Sequence, residues 1–328
     1  MEKQNIKQPV IIIQDGAVDE LMSVALVATM PNIDLLGIGV VNADCLADPT
    51  LEVTQKILNL MGIPEVPVTI SGARAINAFP WSYRQYSMMV NLLPMLNVTP
   101  NTVVPSKVTT EAMLVELILK NMTEGKPKVK VLILSPLTPL VTAWEMNPAI
   151  KDGIDEILWM GGALPPANGN CGLPYGNVDP GLAPGANANA EWNAYWDPFA
   201  VQNVLASGVK LTMFPLNATN EVMLNAEKVL EFAKDSEKYP LYALAGQMYS
   251  TVAFEAGYAF WDTVTTAYLD RPDIYIIEEK KLLNVVTSGN DQGNIYEDPK
   301  GHFVRVVVDI NVQKFYGYLF EQWTYLKS

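Results

Sequence analysis

Short apolar runs alternate with longer amphipathic stretches through the first two-thirds of the chain. Val10 to Ile13 is continuous and aliphatic, and it breaks at Gln14-Asp15-Gly16. A run of that kind predicts a strand covered on both faces, as in a parallel sheet. A helix is predicted from Asp19 over DELMSVALVATM, with acids in its first turn where the helix dipole favours them. Leu35 to Val41 predicts a second strand that ends at Asn42-Ala43-Asp44. Pro49 to Gly62 follows as a helix with proline at its start and glycine at its end. Val66 to Ile70 makes a third strand.

The alternation resumes after a proline-containing stretch from Phe79 to Pro105. Glu111 to Met122 predicts a helix, and Val129 to Leu134 a strand. Glu156 to Met160 predicts another strand ending at Gly161-Gly162, and Lys210 to Leu216 a further one. This order predicts the α/β class: an open, mostly parallel Rossmann-like sheet flanked by helices. Ligands of such sheets bind beyond the carboxyl ends of the strands. That rule selects Asp15, Asp44, Ser135 and Gly161. Residues 164–190 are rich in Gly, Pro, Asn and Ala, and a segment of that length predicts a lid or binding loop. With no repeat and no linker, residues 1–328 read as one domain.

Composition narrows the function. Hydrophobic residues make up 49% and charged residues 17%, which suits a chain with a large core. Lys+Arg 22 against Asp+Glu 35 gives a net charge of −13. That balance repels phosphate backbones and anionic lipid, so neither nucleic acid nor a membrane is an expected partner. No apolar run is long enough to span a bilayer. Cys45 and Cys171 make no disulfide framework or metal spacing, and a cytoplasmic location is the simpler reading.

Asp15, Asp19 and Glu20 crowd the first strand-to-helix turn, and Asp44 ends the second strand where it can face them. No Lys or Arg lies within the two turns. An acidic helix start is ordinarily a solvated cap. Like charges gathered at one sheet edge, however, call for a cation or a shifted pKa. Calcium or magnesium, with oxygen ligands, is the natural candidate.

The turn IIIQDGAVDE resembles the N-terminal motif of the inosine–uridine nucleoside hydrolase family. The resemblance runs along nearly the whole chain through Asn42-Ala43-Asp44-Cys45, Ser135-Pro136-Leu137-Thr138, Trp159-Met160-Gly161-Gly162-Ala163, Ala190-Glu191-Trp192-Asn193 and Trp261-Asp262. Trp261 before Asp262 points to the purine-specific branch, because the non-specific branch carries histidine there. The resemblance implies hydrolysis of the N-glycosidic bond of purine ribonucleosides (inosine, guanosine, adenosine) and a homodimer or homotetramer. It implies Ca2+ held by Asp15, Glu20, the carbonyl of Leu134 and Asp262. Asp15 matches the general base that takes a proton from the water on that calcium. Asp19, Asp44, Met160, Asn170, Glu191 and Asn193 match residues that hold the ribose. Trp261 matches one ring of an aromatic sandwich around the base, and Trp81 or Tyr83 would supply the other.

Three positions depart from the family pattern. Ile13 stands where relatives carry an Asp, which removes a charge near the metal and should weaken its hold. Glu20 stands for an Asp, adding roughly 1.5 Å of reach. Pro139 replaces a usual Asn. His302, the single histidine, reads as surface or structural, so a histidine-centred triad is not expected. Gly161-Gly162 reads as a close backbone approach to the ribose, and Trp192 and Trp196 as packing for the loop's return. Two alternatives stand beside the purine hydrolase: a nucleoside-binding homologue weakened in catalysis, motivated by Ile13 and Glu20, and a hydrolase of pyrimidine or modified nucleosides.

Overall fold

The structure is a computed structural model that describes residues 7–98, 101, 106–166, 175–186, 188–255 and 257–326. Its centre is a nine-stranded sheet of order β3-β2-β1-β4-β5-β6-β9-β7-β8. The strands are β1 (Gln8–Gln14), β2 (Ile33–Val40), β3 (Val68–Ile70), β4 (Val129–Leu134), β5 (Ile154–Met160), β6 (Leu211–Phe214), β7 (Tyr275–Val285), β8 (Ile295–Glu297) and β9 (His302–Ile310). All pairings from β3 through to β9 are parallel, and β7 runs antiparallel to both β9 and β8. The expected open, mostly parallel α/β sheet is therefore present. The antiparallel ribbon at its far end was not expected.

Alternate residues of the central strands enter two different cores, which explains their unbroken apolar runs. Val10, Ile12, Leu132, Leu134, Leu158 and Phe214 face one side. The helices α1 (Val18–Ala28), α2 (Ala47–Leu60), α9 (Ala226–Lys234), α10 (Pro240–Ser250), α11 (Trp261–Ala267) and α12 (Val312–Gln322) contribute to that side. Ile11, Ile13, Val131, Ile133, Ile157, Trp159 and Met213 face the other. There they meet α4 (Thr110–Thr123), α5 (Thr138–Met146), α6 (Trp192–Trp196) and α7 (Pro198–Ala206). Two short helices, α3 (Tyr86–Asn91) and α8 (Leu216–Thr219), complete the set. Pro215 ends β6 before the predicted strand does, and Leu216 opens α8 instead.

Helix α1 is buried from Val18 through Val27. A helix apolar nearly all round is one enclosed on all sides, so the acids in its first turn are carried inward with it. Gly16 makes the sharp turn before it, at φ +96°. A Cβ at Gly16 would sit 2.1 Å from the Thr50 hydroxyl, so α2 packs against the turn at a distance only glycine allows. No helix among the described residues is long and apolar enough to cross a membrane.

Candidate active site

Parallel strands deliver their carboxyl ends to one edge, and the cleft lies there. Its volume is about 300 Å3, within the range of small-molecule sites. Asp15 follows β1, Asp44 follows β2, and Met160 closes β5. Glu191 and Asn193 arrive with α6, and Trp261 and Asp262 with α11; all of these line the cleft, together with Asp19 and Glu20.

The floor is acidic and buried. Asp15, Asp19, Glu20 and Asp262 are each at most 5% exposed. Asp19 is held on both oxygens: Tyr258 donates its hydroxyl to Oδ1 at 2.7 Å, and the Asp262 amide donates to Oδ2 at 2.9 Å. These bonds tie α1 to the start of α11 across more than 200 residues of sequence. The Asp44 amide donates to Asp15 Oδ2 at 3.1 Å, and Asp15 also shares a hydrogen bond with Glu20. Burial pushes Asp15 up to about 7, partly offset by those two hydrogen bonds, with the Glu191 and Asp19 charges pushing further up. Glu20 is raised well above the ordinary range by burial and by the Asp262, Asp19 and Asp15 charges. Burial likewise raises Asp262, with Asp19 the leading charge. Asp44 rises through burial, Asp15 and Asp19, while Arg84 opposes the shift.

A cation fits this floor. Carboxylate oxygens of Asp19, Glu20 and Asp262 lie within 4.8 Å of one another. Two oxygens on opposite sides of a calcium ion at 2.3–2.6 Å stand about 5 Å apart, so the three can share one ion. Glu20 Oε2 and Asp262 Oδ1 are buried without a hydrogen-bond donor, and no Lys, Arg or His lines the cleft among the described residues. The cluster is thus consistent with a Ca2+ site. The expected set shares Glu20 and Asp262 with this trio. Asp15 lies beside it through its contact with Glu20. Leu134 is buried at the end of β4, paired in register with Gln14. Ile13 packs fully buried in the apolar core beneath.

Above the acids, α6 presents polar groups already fixed in place. Glu191 caps the helix: Oε1 accepts from the Asn193 amide, and Oε2 from the Ala194 and Gly162 amides, at 2.8–3.1 Å. Burial still pushes Glu191 up to about 7 against the three amides. Asn193 donates Nδ2 to the Met160 carbonyl at 3.2 Å, leaving its buried Oδ1 without a donor. Asp44 Oδ1 is also without one. Among the described residues, the fully buried side-chain atoms of the cleft that lack a partner (on Glu20, Asp44, Asn193 and Asp262) are therefore all acceptors, suited to a cation and to hydroxyl donors. Gly161 and Gly162 are not among the residues that line the cleft, and packing within the fold already accounts for both glycines. A Cβ at Gly161 would strike the Trp159 ring at 2.2 Å, and the Gly162 amide binds Glu191.

Aromatic rings make the walls. Trp261 packs against Tyr258 with centroids 4.9 Å apart, and its Nε1 donates to Asn220. Phe79 also lines the cleft and stacks on Trp192 at 5.3 Å, and Tyr83 meets the same indole edge-on. Of the two sandwich candidates, Tyr83 reaches the cleft. Trp81 is 77% exposed, lies outside the lining and carries the Arg84 guanidinium 6.0 Å from its ring. Trp192, read as packing, both packs and lines the cleft; Trp196 only packs.

Asn170 lies outside the described residues. Among the described residues of that segment Asn177 lines the cleft, and its Oδ1 accepts from the Trp192 amide at 3.1 Å. The described parts of the 164–190 segment are pinned down. The amides of Asn177 and Val178 donate to the Ala190 carbonyl, and Leu164 exchanges two hydrogen bonds with the Asn217 side chain. Sequence reasoning also missed Tyr86, Glu255 and Tyr258 at the cleft. Nothing in the local pattern marks them, because their place depends on pairings across the fold.

Comparison with known proteins gives a coherent set of matches. The family profile described as inosine-uridine preferring nucleoside hydrolase matches residues 10–317. A crystal structure of an inosine-uridine preferring nucleoside hydrolase from Bacillus anthracis superposes with a TM-score of 0.88 at 30% identity, covering 97% of this chain and 100% of that one. The pyrimidine-specific ribonucleoside hydrolase RihB of Shigella sonnei is 26% identical, over 95% of each chain. Uridine nucleosidase 1 of Arabidopsis thaliana is 24% identical, over 89% of this chain and 82% of its own length.

Proposed function

The chain belongs to the inosine-uridine preferring nucleoside hydrolase family and is a nucleoside N-glycosyl hydrolase; from that premise we propose that it acts on purine ribonucleosides, with Ca2+ on the buried acids and Asp15 as general base. The observation that carries this reading is the division of the cleft. Unpartnered acceptors cover its floor and flat aromatic rings make its walls. A ribonucleoside has the complementary division, with sugar hydroxyls that donate and a base that stacks.

Glu20, Asp262 and Asp19 would hold the calcium, with Asp15 and the Leu134 carbonyl as the further ligands that the family resemblance implies. Bound there, a calcium ion would offset the crowded negative charge and lower the pKa of water at the site. Asp44, Asn193 and Asn177 take the sugar hydroxyls, and Glu191 keeps α6 in place for them. These hydrogen bonds position C1′ and strengthen as positive charge develops on the ring. Asp15 takes the proton from the attacking water, the C1′–N bond breaks, and its electron pair leaves with the base. No histidine lines the cleft, so the departing base is held by the Trp261 and Tyr83 rings, and purines offer the larger face.

A second reading, pyrimidine nucleosides, is favoured by the pyrimidine and uridine specificities of the Shigella sonnei and Arabidopsis thaliana relatives. Comparing kcat/KM for inosine, guanosine and adenosine with that for uridine and cytidine separates the two. The purine reading expects at least about a tenfold purine advantage, in line with 1–3 kcal/mol per stacked base. A reversed preference establishes the second reading. The dimer or tetramer that goes with the family reading is checked by analytical ultracentrifugation.

A further inference from the structure

A polar pair at the mouth of the cleft is not used by the chemistry above. Tyr86, at the start of α3, donates its hydroxyl to Glu255 Oε1 at 2.6 Å, joining α3 to the loop that follows α10. Both residues line the cleft; Tyr86 is half-buried and Glu255 exposed. The Tyr86 ring lies nearly parallel to Tyr83, with centroids 6.5 Å apart and 18° between planes. The pair therefore continues the aromatic wall outward from the acidic floor.

The hydrogen-bonding character of the pair is one-sided. Tyr86 has committed its only donor, and no described residue donates to Glu255 Oε2. What faces the cleft is a carboxylate oxygen and a phenol oxygen, both acceptors. No cationic side chain among the described residues lines the cleft to neutralise them. Several other side-chain donors of the cleft are already committed: Asn193 Nδ2 to Met160, Trp261 Nε1 to Asn220, and the Tyr258 hydroxyl to Asp19.

We propose that Glu255, oriented by Tyr86, determines which bases the enzyme accepts, favouring bases whose ring edge carries an N–H over bases with a bare ring nitrogen. This rests on the reading that a nucleoside occupies the cleft with its sugar on the acids and its base outward. Guanine places N1–H and N2–H side by side, matching a carboxylate. Hypoxanthine and uracil each offer one ring N–H. Adenine and cytosine instead pair an amino donor with a bare ring nitrogen, so the lone pair of adenine N1 or cytosine N3 faces the carboxylate and only the amino group can donate. A site built to receive an N–H rejects an analogue without it more strongly than an apolar pocket does. The inference concerns the edge of the base, so it applies within purines and within pyrimidines alike.

The test measures kcat/KM for guanosine, inosine, adenosine, uridine and cytidine with the wild type, Glu255→Gln and Tyr86→Phe. Wild type should favour guanosine over adenosine, or uridine over cytidine, by about tenfold to a hundredfold, the range of a charge-assisted hydrogen bond. Glu255→Gln replaces one acceptor by an amide donor and should lower that ratio about tenfold or more. Tyr86→Phe should lower it less, because the carboxylate survives but loses its orientation. A loss of rate shared equally by all five nucleosides would mean a structural role and overturn the inference. So would hydrolysis with an unchanged ratio, or a wild type that prefers adenosine over guanosine and cytidine over uridine. No hydrolysis of any nucleoside would overturn the underlying functional reading as well, so the two failures are distinguishable.

Discussion

Without calcium, the folded protein should lose stability as pH rises from about 5.5 to about 8. Asp15 is pushed up to about 7 by burial and by neighbouring acids, and Glu191 is also pushed up to about 7 by burial. In the unfolded chain both return to ordinary values of 3.8 and 4.5. A carboxyl raised on folding binds more protons in the native state, so its contribution is complete below the unfolded value and vanishes as pH passes the folded one. Linkage with these values gives a loss of roughly 2 kcal/mol per group between about pH 5.5 and 8. At roughly 2 °C per kcal/mol for a chain of this size, the midpoint should fall on the order of 8 °C. The window lies above the lowered carboxyls such as Asp273, held at about 2 mainly by Arg271, whose contribution is already complete there. Calcium replaces the protons, so it should stabilise more at pH 8 than at pH 5.5. Differential scanning calorimetry in EDTA and in millimolar calcium reads both effects. A midpoint in EDTA that rises with pH, or a calcium gain no larger at pH 8, would refute the reasoning.

Three substitutions test other parts of the site. Asp15→Ala should lower kcat about 10²–10⁴-fold, as for a general base, while circular dichroism stays native; near-normal turnover would remove Asp15 from that role. Trp261→Ala should lower kcat/KM for purine nucleosides by about tenfold or more through lost stacking, and by less for uridine; equal losses would argue against a purine-selective wall. Gly16→Ala combines a left-handed backbone with a Cβ 2.1 Å from the Thr50 hydroxyl. It should cost at least about 2 kcal/mol in urea denaturation, and a neutral result would show that the turn and α2 yield freely.

Much of the fold was legible because the central strands are buried on both faces and read as unbroken apolar runs; Val129 to Leu134 was placed without error. The end of the sheet was not, because Glu278, Lys280 and Lys281 interrupt β7, which lies toward the sheet's margin where charge is tolerated. In the site, Asp15, Glu20 and Asp44 were visible as acids at strand ends. The direct hold of Tyr258 and the Asp262 amide on Asp19 was not, since it joins residues 239 and 243 positions apart. Within the asparagine-rich 164–190 segment, one Asn looks like another, and only the bond from the Trp192 amide marks Asn177. Likewise Trp81 and Tyr83 were equivalent on paper, and the turn at residues 80–84 sends one outward and the other in.

The central claim is that the buried acids hold calcium for hydrolysis of a nucleoside, and reducing-sugar release tests it most directly. Purified protein should release ribose from inosine or guanosine in calcium, lose that activity after dialysis against a chelator, and regain it when calcium returns. Release that ignores the chelator would contradict the role given to Glu20 and Asp262, and no ribose from any nucleoside would contradict the enzyme itself.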